Sequence, residues 1–338
     1  VGNLMKILVT GVAGFIGFHL ARDLIKKKYN VIGVDNLNTY YDINLKKARL
    51  EKLLKISMPF TKLDLSDAQK TKSFFNSENP DYVIHLAAQA GVRNSIKKPQ
   101  SYISSNIVGF LNVLEGCRHQ NIKHLIYASS SSVYGQNSKS PFHEDLNVDF
   151  PENLYAATKK SNELMAYSYA NLFNISCTGL RFFTVYGPWG RPDMAYFKFA
   201  KNIIEGNPIE VYGHGNMYRD FTYIDDIIDG IIKLFEKGIT QSLSDKKKET
   251  TMPQKVPWEI FNIGNSDMVS LEKFIKVIET STGKKANKKY MDMQLGDMYK
   301  TSANIEKIKS IVDFQPKTSI SEGLPMFIDW YKDFYNKN

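Results

Sequence analysis

The run from Lys6 to Asp35 constrains this chain most. Residues 6–10, KILVT, are rich in β-branched side chains and predict a strand. Gly11-Val12-Ala13-Gly14-Phe15-Ile16-Gly17 follows at once, and a helical pattern continues through His19, Leu20, Leu24 and Ile25. A second strand is predicted from Asn30 to Val34, closed by Asp35. Together these make a β-turn-α-β unit with a G-x-x-G-x-x-G turn. Glycine lets such a turn approach a pyrophosphate, which then sits at the helix N-terminus. Asp35 stands 24 residues after Gly11. An acid there accepts both ribose hydroxyls of NAD and repels the 2′-phosphate of NADP. The unit predicts an α/β fold, a Rossmann-type doubly wound parallel sheet that binds NAD.

The strand-helix alternation continues. Asp64, in KLDLSD, closes one candidate strand and is placed to receive the adenine amino group. Residues Asp81 to Ala88 read as another strand, ending in small residues that admit a cofactor. His124 to Ser129 is the next, delivering the serine cluster of 129–135, SSSSVYG, to its C-terminal end. Ligands of open parallel sheets bind beyond that end. The candidate cofactor-binding set is therefore Gly11, Gly14, Phe15, Ile16, Gly17, Asp35, Asn36, Asp64, Leu65, Leu86, Ala87 and Ala88. Asn106, on a predicted helix Ser101–His119, joins this set, with helix packing as its alternative. His85 reads as a satisfied core histidine.

Tyr155-Ala156-Ala157-Thr158-Lys159 lies on a predicted helix over 153–172. Positions i and i+4 share a face, so phenol and ammonium point into the same space. A nearby cation favours the phenolate, which makes Tyr155 a candidate general base for a sugar hydroxyl. Taken alone, the pair reads more readily as surface decoration. With the serine cluster upstream, Ser130, Tyr155 and Lys159 become the candidate catalytic residues, and Tyr155 and Lys159 also candidate cofactor contacts.

The chain has 338 residues, enough for two domains or one with a lobe. The division expected is a dinucleotide-binding domain over 5–180, completed by a strand near 261–263, and a smaller substrate-binding lobe over 181–335. The net charge is +9, but the lysines are scattered and no arginine-rich stripe forms. That argues against nucleic acid and for a solvated surface with some attraction to an anionic small substrate. Cys117 and Cys177 form no framework, so a reducing cytoplasm is expected. No metal motif is legible among six histidines, and no apolar run approaches 18 residues, so neither metal nor membrane is expected. Met5 reads as the native start and Val1–Leu4 as a cloning scar. The lysine-rich stretch Lys237–Pro257 reads as an exposed loop.

With the glycine turn, SSSSVYG and YAATK assembled, the chain resembles the extended short-chain dehydrogenase/reductase superfamily along nearly its whole length. LRFFTVYGPWGRPDMA (180–195), GHGNMYRDFTYIDDI (213–227), FNIGN (261–265) and MQLGDMYKTSAN (293–304) look most like the UDP-glucuronate 4-epimerases of bacteria and plants. The resemblance implies that Tyr155 is the base and that Lys159 holds the nicotinamide ribose while lowering the tyrosine pKa. It implies that Ser130 bridges the sugar 4-hydroxyl to Tyr155, and that Arg219, in MYRDF, grips the UDP diphosphate. Gln294 and Asp297 would lie near the UDP ribose and phosphates, and Tyr299 is a weaker neighbour there. In that family the helices near 101–119 and 153–172 pair across a homodimer, although their apolar faces equally suit an internal core.

These relatives begin alike, with loss of the 4-hydroxyl proton and of a hydride from C4. Dehydratases of the superfamily carry Asp-Glu after the active-site Ser or Thr, and UDP-xylose synthases carry Glu just before V-Y-G. Ser131 and Ser132 stand there in this chain. Lacking an acid, the site argues for return of the hydride, which is epimerisation at C4. A 4-keto uronate is a β-keto acid prone to lose CO₂, so its carboxylate needs partners, and Ser131, Thr184 and Arg191 are the candidates. A salt bridge from Arg191 to Asp193 is the plainer reading of that arginine. The expected activity is conversion of UDP-glucuronate to UDP-galacturonate for a surface polysaccharide. Three alternatives remain: a 4-epimerase of UDP-glucose or UDP-N-acetylglucosamine, a dehydrogenase that releases NADH, and a non-catalytic NAD-binding regulator.

Overall fold

A computed structural model describes residues 5–135, 140–245, 256–294 and 298–335. Val1–Leu4, Asp297 and residues 246–255 of the Lys237–Pro257 stretch lie outside them. Strand and helix alternate through the first half: β1 (Lys6–Thr10), α1 (Phe15–Lys26), β2 (Asn30–Asp35), α2 (Ile43–Lys55), β3 (Phe60–Lys62), α3 (Ala68–Glu78) and β4 (Tyr82–His85). Two short helices, α4 (Val92–Lys97) and α5 (Pro99–Tyr102), lead through a π-helical turn, Ile103–Val108, into α6 (Gly109–His119). Then come β5 (His124–Ser130), α7 (Leu154–Phe173), β6 (Cys177–Phe182), β7 (Thr184–Tyr186), α8 (Ala195–Glu205), β8 (Ile209–Tyr212) and β9 (Tyr218–Tyr223). The remainder comprises α9 (Ile224–Asp245), β10 (Trp258–Ile263), β11 (Met268–Ser270), α10 (Leu271–Thr282), β12 (Lys288–Met291), α11 (Glu306–Val312) and α12 (Ile320–Tyr335).

Seven strands form one parallel sheet in the order β10-β6-β5-β4-β1-β2-β3. The chain starts in the middle, winds outward to β3, then returns past β1 to β4 and beyond. This is the doubly wound arrangement expected, and its strands explain their own composition. Successive side chains alternate faces, and both faces are covered. Ile7, Val9, Ile84 and Ile126 enter one core cluster, whereas Leu8, Val83, Leu125 and Tyr127 enter the other. The first cluster continues without a break into Phe221, Phe274 and Phe327 of the second half. Two small sheets, β11-β9-β7 and β12-β8, stand beside the main one.

Local chemistry sets the boundaries. Asp67, Asn153 and Ser270 cap α3, α7 and α10 by accepting backbone N–H bonds, and such caps stabilise a helix by ~1 kcal/mol. Asn79, Asn174, Gly206 and Gly283 end helices in the left-handed conformation. Three expectations are corrected. The strand predicted from Asp81 to Ala88 is shorter, because after His85 the chain leaves the sheet and Leu86 and Ala87 donate to Thr10 Oγ1. The start of the Lys237–Pro257 stretch is helical, since the apolar spacing of Ile227, Ile228, Ile231, Leu234 and Phe235 carries α9 to Asp245. The predicted helix Ser101–His119 is interrupted by the π-helical turn. The strand anticipated at 261–263 is β10, paired in parallel with β6 and closing one edge of the main sheet. β6 itself spans residue 180, so the main sheet draws strands from both sides of that position.

Candidate active site

The glycine turn occupies the tip of β1. Gly11 takes a positive φ of 77°, and a Cβ there would stand 2.8 Å from the Ala87 backbone nitrogen. A Cβ at Gly14 would stand 2.9 Å from the Gly11 carbonyl oxygen, and one at Gly17 would overlap the same oxygen. The three glycines are thus demanded by backbone packed on backbone, which leaves the start of α1 open to the cavity. Gly14 is the N-cap of α1 and brings no side-chain hydrogen bond, so the first N–H groups are uncapped. The Asp35 carboxylate accepts from Ala13 N at 3.1 Å and Leu37 N at 2.8 Å. Burial raises its pKa, against the pull of those N–H groups, Lys46 and Arg49. Asp64 accepts from Asn36 Nδ2 at 3.2 Å and from Ser66. An anion-ready helix terminus beside two carboxylates fits the pyrophosphate, ribose and adenine of a dinucleotide.

These residues line one cavity of about 1100 Å³ beyond the C-terminal ends of the central strands. Its lining runs from Gly11, Gly14, Phe15, Ile16, Gly17, Asp35, Asn36, Asp64 and Leu65 to Leu86, Ala87 and Ala88. It then passes Ser130, Ser131, Tyr155 and Lys159 and reaches Thr184, Arg191 and Arg219. Eight Lys or Arg and four Asp or Glu face this space, so the cavity is cationic and suited to anionic ligands.

Ser130, Tyr155 and Lys159 meet where β5 ends against α7. Ser130 caps the short turn after β5, receiving the Ser132 N–H at 3.2 Å. Burial raises the Tyr155 pKa, while a hydrogen bond with Ser130 and the Arg191 charge lower it and Asp193 raises it. Lys159 is buried and donates to the Ala128 carbonyl at 2.9 Å. Burial lowers its pKa to about 8. Lys159 turns to the strand carbonyl, and the cation whose charge lowers the Tyr155 pKa is Arg191.

Arg219, on β9, donates to the carbonyls of Tyr218 and Tyr299, and the neighbouring Asp220 anchors the strand. The buried Asp220 carboxylate receives the N–H groups of Asn265, Ser266 and Ala303 at 2.7–2.9 Å. Arg191 does make the salt bridge to Asp193, with Nε–Oδ1 at 3.1 Å and Nη2–Oδ2 at 2.5 Å, yet it still lines the cavity.

Two expected residues stand apart. Asn106 is fully buried behind the wall: its side chain receives Gln89 N at 2.8 Å and donates to Gln89 O and Thr158 Oγ1. It holds the segment after β4 against α7, which corrects its assignment as a cofactor contact. Gln294 lies outside the cavity lining. His85 is the core histidine anticipated, 2.9 Å from Thr10 Oγ1, its pKa lowered to about 3 by burial and by Lys159. Residues that sequence reasoning passed over include Tyr40 and Arg93, both in the lining, while Asp193 was read only as a salt-bridge partner of Arg191 and lines the cavity as well. Tyr40 stands in a polar tyrosine pair just past the NAD-type acid, the one signal that pointed to it.

An NAD cradle and a serine-tyrosine-lysine cluster sharing one cavity belong to the extended short-chain dehydrogenase/reductases. Within that superfamily, the chain belongs to the NAD dependent epimerase/dehydratase family, whose profile matches residues 7–244. It is 52% identical to Protein CapI of Staphylococcus aureus over 98% of this chain and 100% of that protein. It is 42% identical to a probable UDP-glucuronate 4-epimerase of Rhizobium meliloti, over 98% of each. Among solved structures, it is similar to UDP-glucuronic acid 4-epimerase from Bacillus cereus in complex with UDP-glucuronic acid and NAD. That match has a TM-score of 0.87 at 36% identity, covering 98% of this chain and 100% of that one.

Proposed function

We propose that this protein is a UDP-glucuronate 4-epimerase that interconverts UDP-glucuronate and UDP-galacturonate through a transient 4-keto sugar. The observation that carries the reading is one cationic cavity lined by the glycine turn and Asp35, by Ser130 and Tyr155, and by Arg219. The Bacillus cereus relative, solved with UDP-glucuronic acid and NAD, supports the same substrate pair. NAD, held by Gly11, Gly14, Gly17, Asp35 and Asp64, supplies the hydride acceptor and donor at sugar C4.

Tyr155 takes the 4-hydroxyl proton, and Ser130 keeps phenol and hydroxyl in line. Burial is the largest influence and leaves the Tyr155 pKa raised, and the Ser130 hydrogen bond and the Arg191 charge act against it in favour of the phenolate. Lys159, fixed to Ala128 O, holds the nicotinamide ribose. Arg219 clamps the diphosphate while the sugar turns over, and the same phenol returns the proton on the other face. Ser131, Thr184 and Arg191 hold the C6 carboxylate, whose hydrogen bonds oppose loss of CO₂. Ser131 and Ser132 offer no acid for dehydration.

The test is proton NMR of the purified protein with UDP-glucuronate and no added NAD. Appearance of UDP-galacturonate, settling to a mixture free of UDP-pentose, is expected, and Tyr155→Phe should abolish it while UDP still binds. NADH release, or a pentose product, sinks the reading. Leu111 on α6 and Leu164, Leu172 and Phe173 on α7 are exposed apolar residues on neighbouring helices, and they support a homodimer built on that face. A monomeric sedimentation coefficient at micromolar protein sinks that part. A cytoplasmic location and supply of galacturonate to a surface polysaccharide follow from the substrate, and loss of uronate from that polymer on gene deletion tests them.

A further inference from the structure

The loop from Gly187 to Asp193 is held in a costly shape. Trp189 has a φ of 61°, a left-handed backbone that bulky residues rarely adopt. Arg49, fully buried on α2, pins it from below. Its guanidinium donates to Trp189 O at 2.6 Å, Gly190 O at 2.8 Å, Ala13 O at 2.9 Å and the Tyr41 hydroxyl at 2.7 Å. One side chain therefore ties the glycine turn to the loop that presents Arg191. The tip is fastened separately: the Tyr40 hydroxyl donates to Asp193 Oδ2 at 3.1 Å, and Asp193 grips Arg191 through two bonds. Asn38 Oδ1 receives the Tyr40 N–H at 3.2 Å, and Asn38 is held in turn by Lys46, whose Nζ reaches Asn38 O at 2.8 Å and Asn38 Oδ1 at 2.7 Å. The segment 38–49, on the cofactor side, thus clasps a loop nearly 150 residues further along.

We propose that Tyr40 and Asp193 are positioning residues, which act by holding the Arg191 guanidinium against Tyr155 and the sugar. Asp193 occupies Nε and Nη2, and Nη1 has no acceptor among the described residues, so one edge is presented to the cavity. The groups bearing on the Tyr155 phenol are Ser130 from the end of β5, Arg191 and Asp193 from the loop, and Tyr102 from α5 with its ring 6.1 Å away, while Lys159 from α7 is turned to the Ala128 carbonyl. Of these, Arg191 is the cation that favours the phenolate. For its substrate the inference rests on the UDP-uronate reading, but its geometry stands without it.

The sign of one response separates holding from bare charge. Deleting the Asp193 charge, with Arg191 left in place, makes Tyr155 more acidic. If Asp193 works by holding Arg191, Asp193→Asn lets the guanidinium swing away and Tyr155 becomes less acidic. The measurement is ultraviolet titration at 295 nm, each protein read against the same protein carrying Tyr155→Phe, which isolates one phenol and needs no substrate. Tyr40→Phe and Asp193→Asn should both raise the midpoint, by about one pH unit in the second. The acid limb of the kcat profile should follow, with about a tenfold loss of kcat at neutral pH and a smaller change in KM. An unchanged midpoint in Tyr40→Phe, which keeps the ring and so the packing, overturns the proposal. So does a lower midpoint in Asp193→Asn. If UDP-glucuronate is not turned over yet both midpoints rise, the substrate reading fails and the positioning role stands.

Discussion

Replacing Gly11 by alanine tests whether the cofactor turn is required by its backbone shape or by its neighbours. Two costs are separable. The residue sits at φ 77°, and an L side chain in that region costs about 1–2 kcal/mol. The new methyl also falls 2.8 Å from Ala87 N and 3.0 Å from Ala87 Cα, both backbone atoms that cannot rotate aside. Overpacking of that kind typically costs a further ~1–3 kcal/mol. Gly206 supplies the matched control, because its φ is 78° and a Cβ there meets nothing within 4 Å. Gly206→Ala should lose about 1 kcal/mol, and Gly11→Ala about 3 kcal/mol, a fall in Tm of roughly 5 °C or more. The steric part also pushes the strand exit at Leu86–Ala88 off the cavity wall, so NAD recovered by acid extraction should fall in Gly11→Ala alone. Equal Tm losses in the two variants, with full NAD content in both, refute the reasoning.

Lys159 makes stability depend on alkaline pH. Its folded pKa of about 8 lies below the ordinary 10.5, so between those values the unfolded chain binds the extra proton and this group's contribution grows as pH rises. Urea unfolding between pH 8 and 9.5 should show the wild type gaining about 1.5 kcal/mol relative to Lys159→Met, and parallel profiles speak against a buried, neutralised lysine. Glu163 and Arg181 form a buried bidentate pair at 2.8 Å that also receives the Ser129 hydroxyl. Glu163→Ala strands the guanidinium and should cost about 3–5 kcal/mol, whereas Glu163→Leu with Arg181→Met should recover much of it. A single variant melting within a degree of wild type contradicts that.

Much of the frame was written in local chemistry. β1 and β2 follow from β-branched runs and glycine, because strand and turn preferences act over a few residues. The Ser130, Tyr155 and Lys159 cluster was legible because helix spacing alone puts two of its members on one face. What escaped notice depends on contacts without a residue signature. Arg49 binds three main-chain carbonyls, and any residue type supplies a carbonyl. The Tyr40–Asp193 bond joins positions 153 apart. Asn106 sits in a π-helical turn, which rotates side chains away from the face that regular helical spacing assigns. The direction of Lys159 was missed because its partner is the Ala128 carbonyl rather than a side chain.

β10 gives the order of synthesis a structural consequence. Everything needed to cradle NAD has left the ribosome once α7 is complete, yet β6 has no partner on its outer side until Trp258–Ile263 emerges. Until then the nascent chain carries a bare edge, Cys177–Phe182, every residue of which is buried in the finished protein. Such an edge invites pairing with another chain. Polysomes translating this message bring identical edges together, so the interval before residue 263 is when a chaperone has most to protect, and slow codons after β6 should lower the soluble yield.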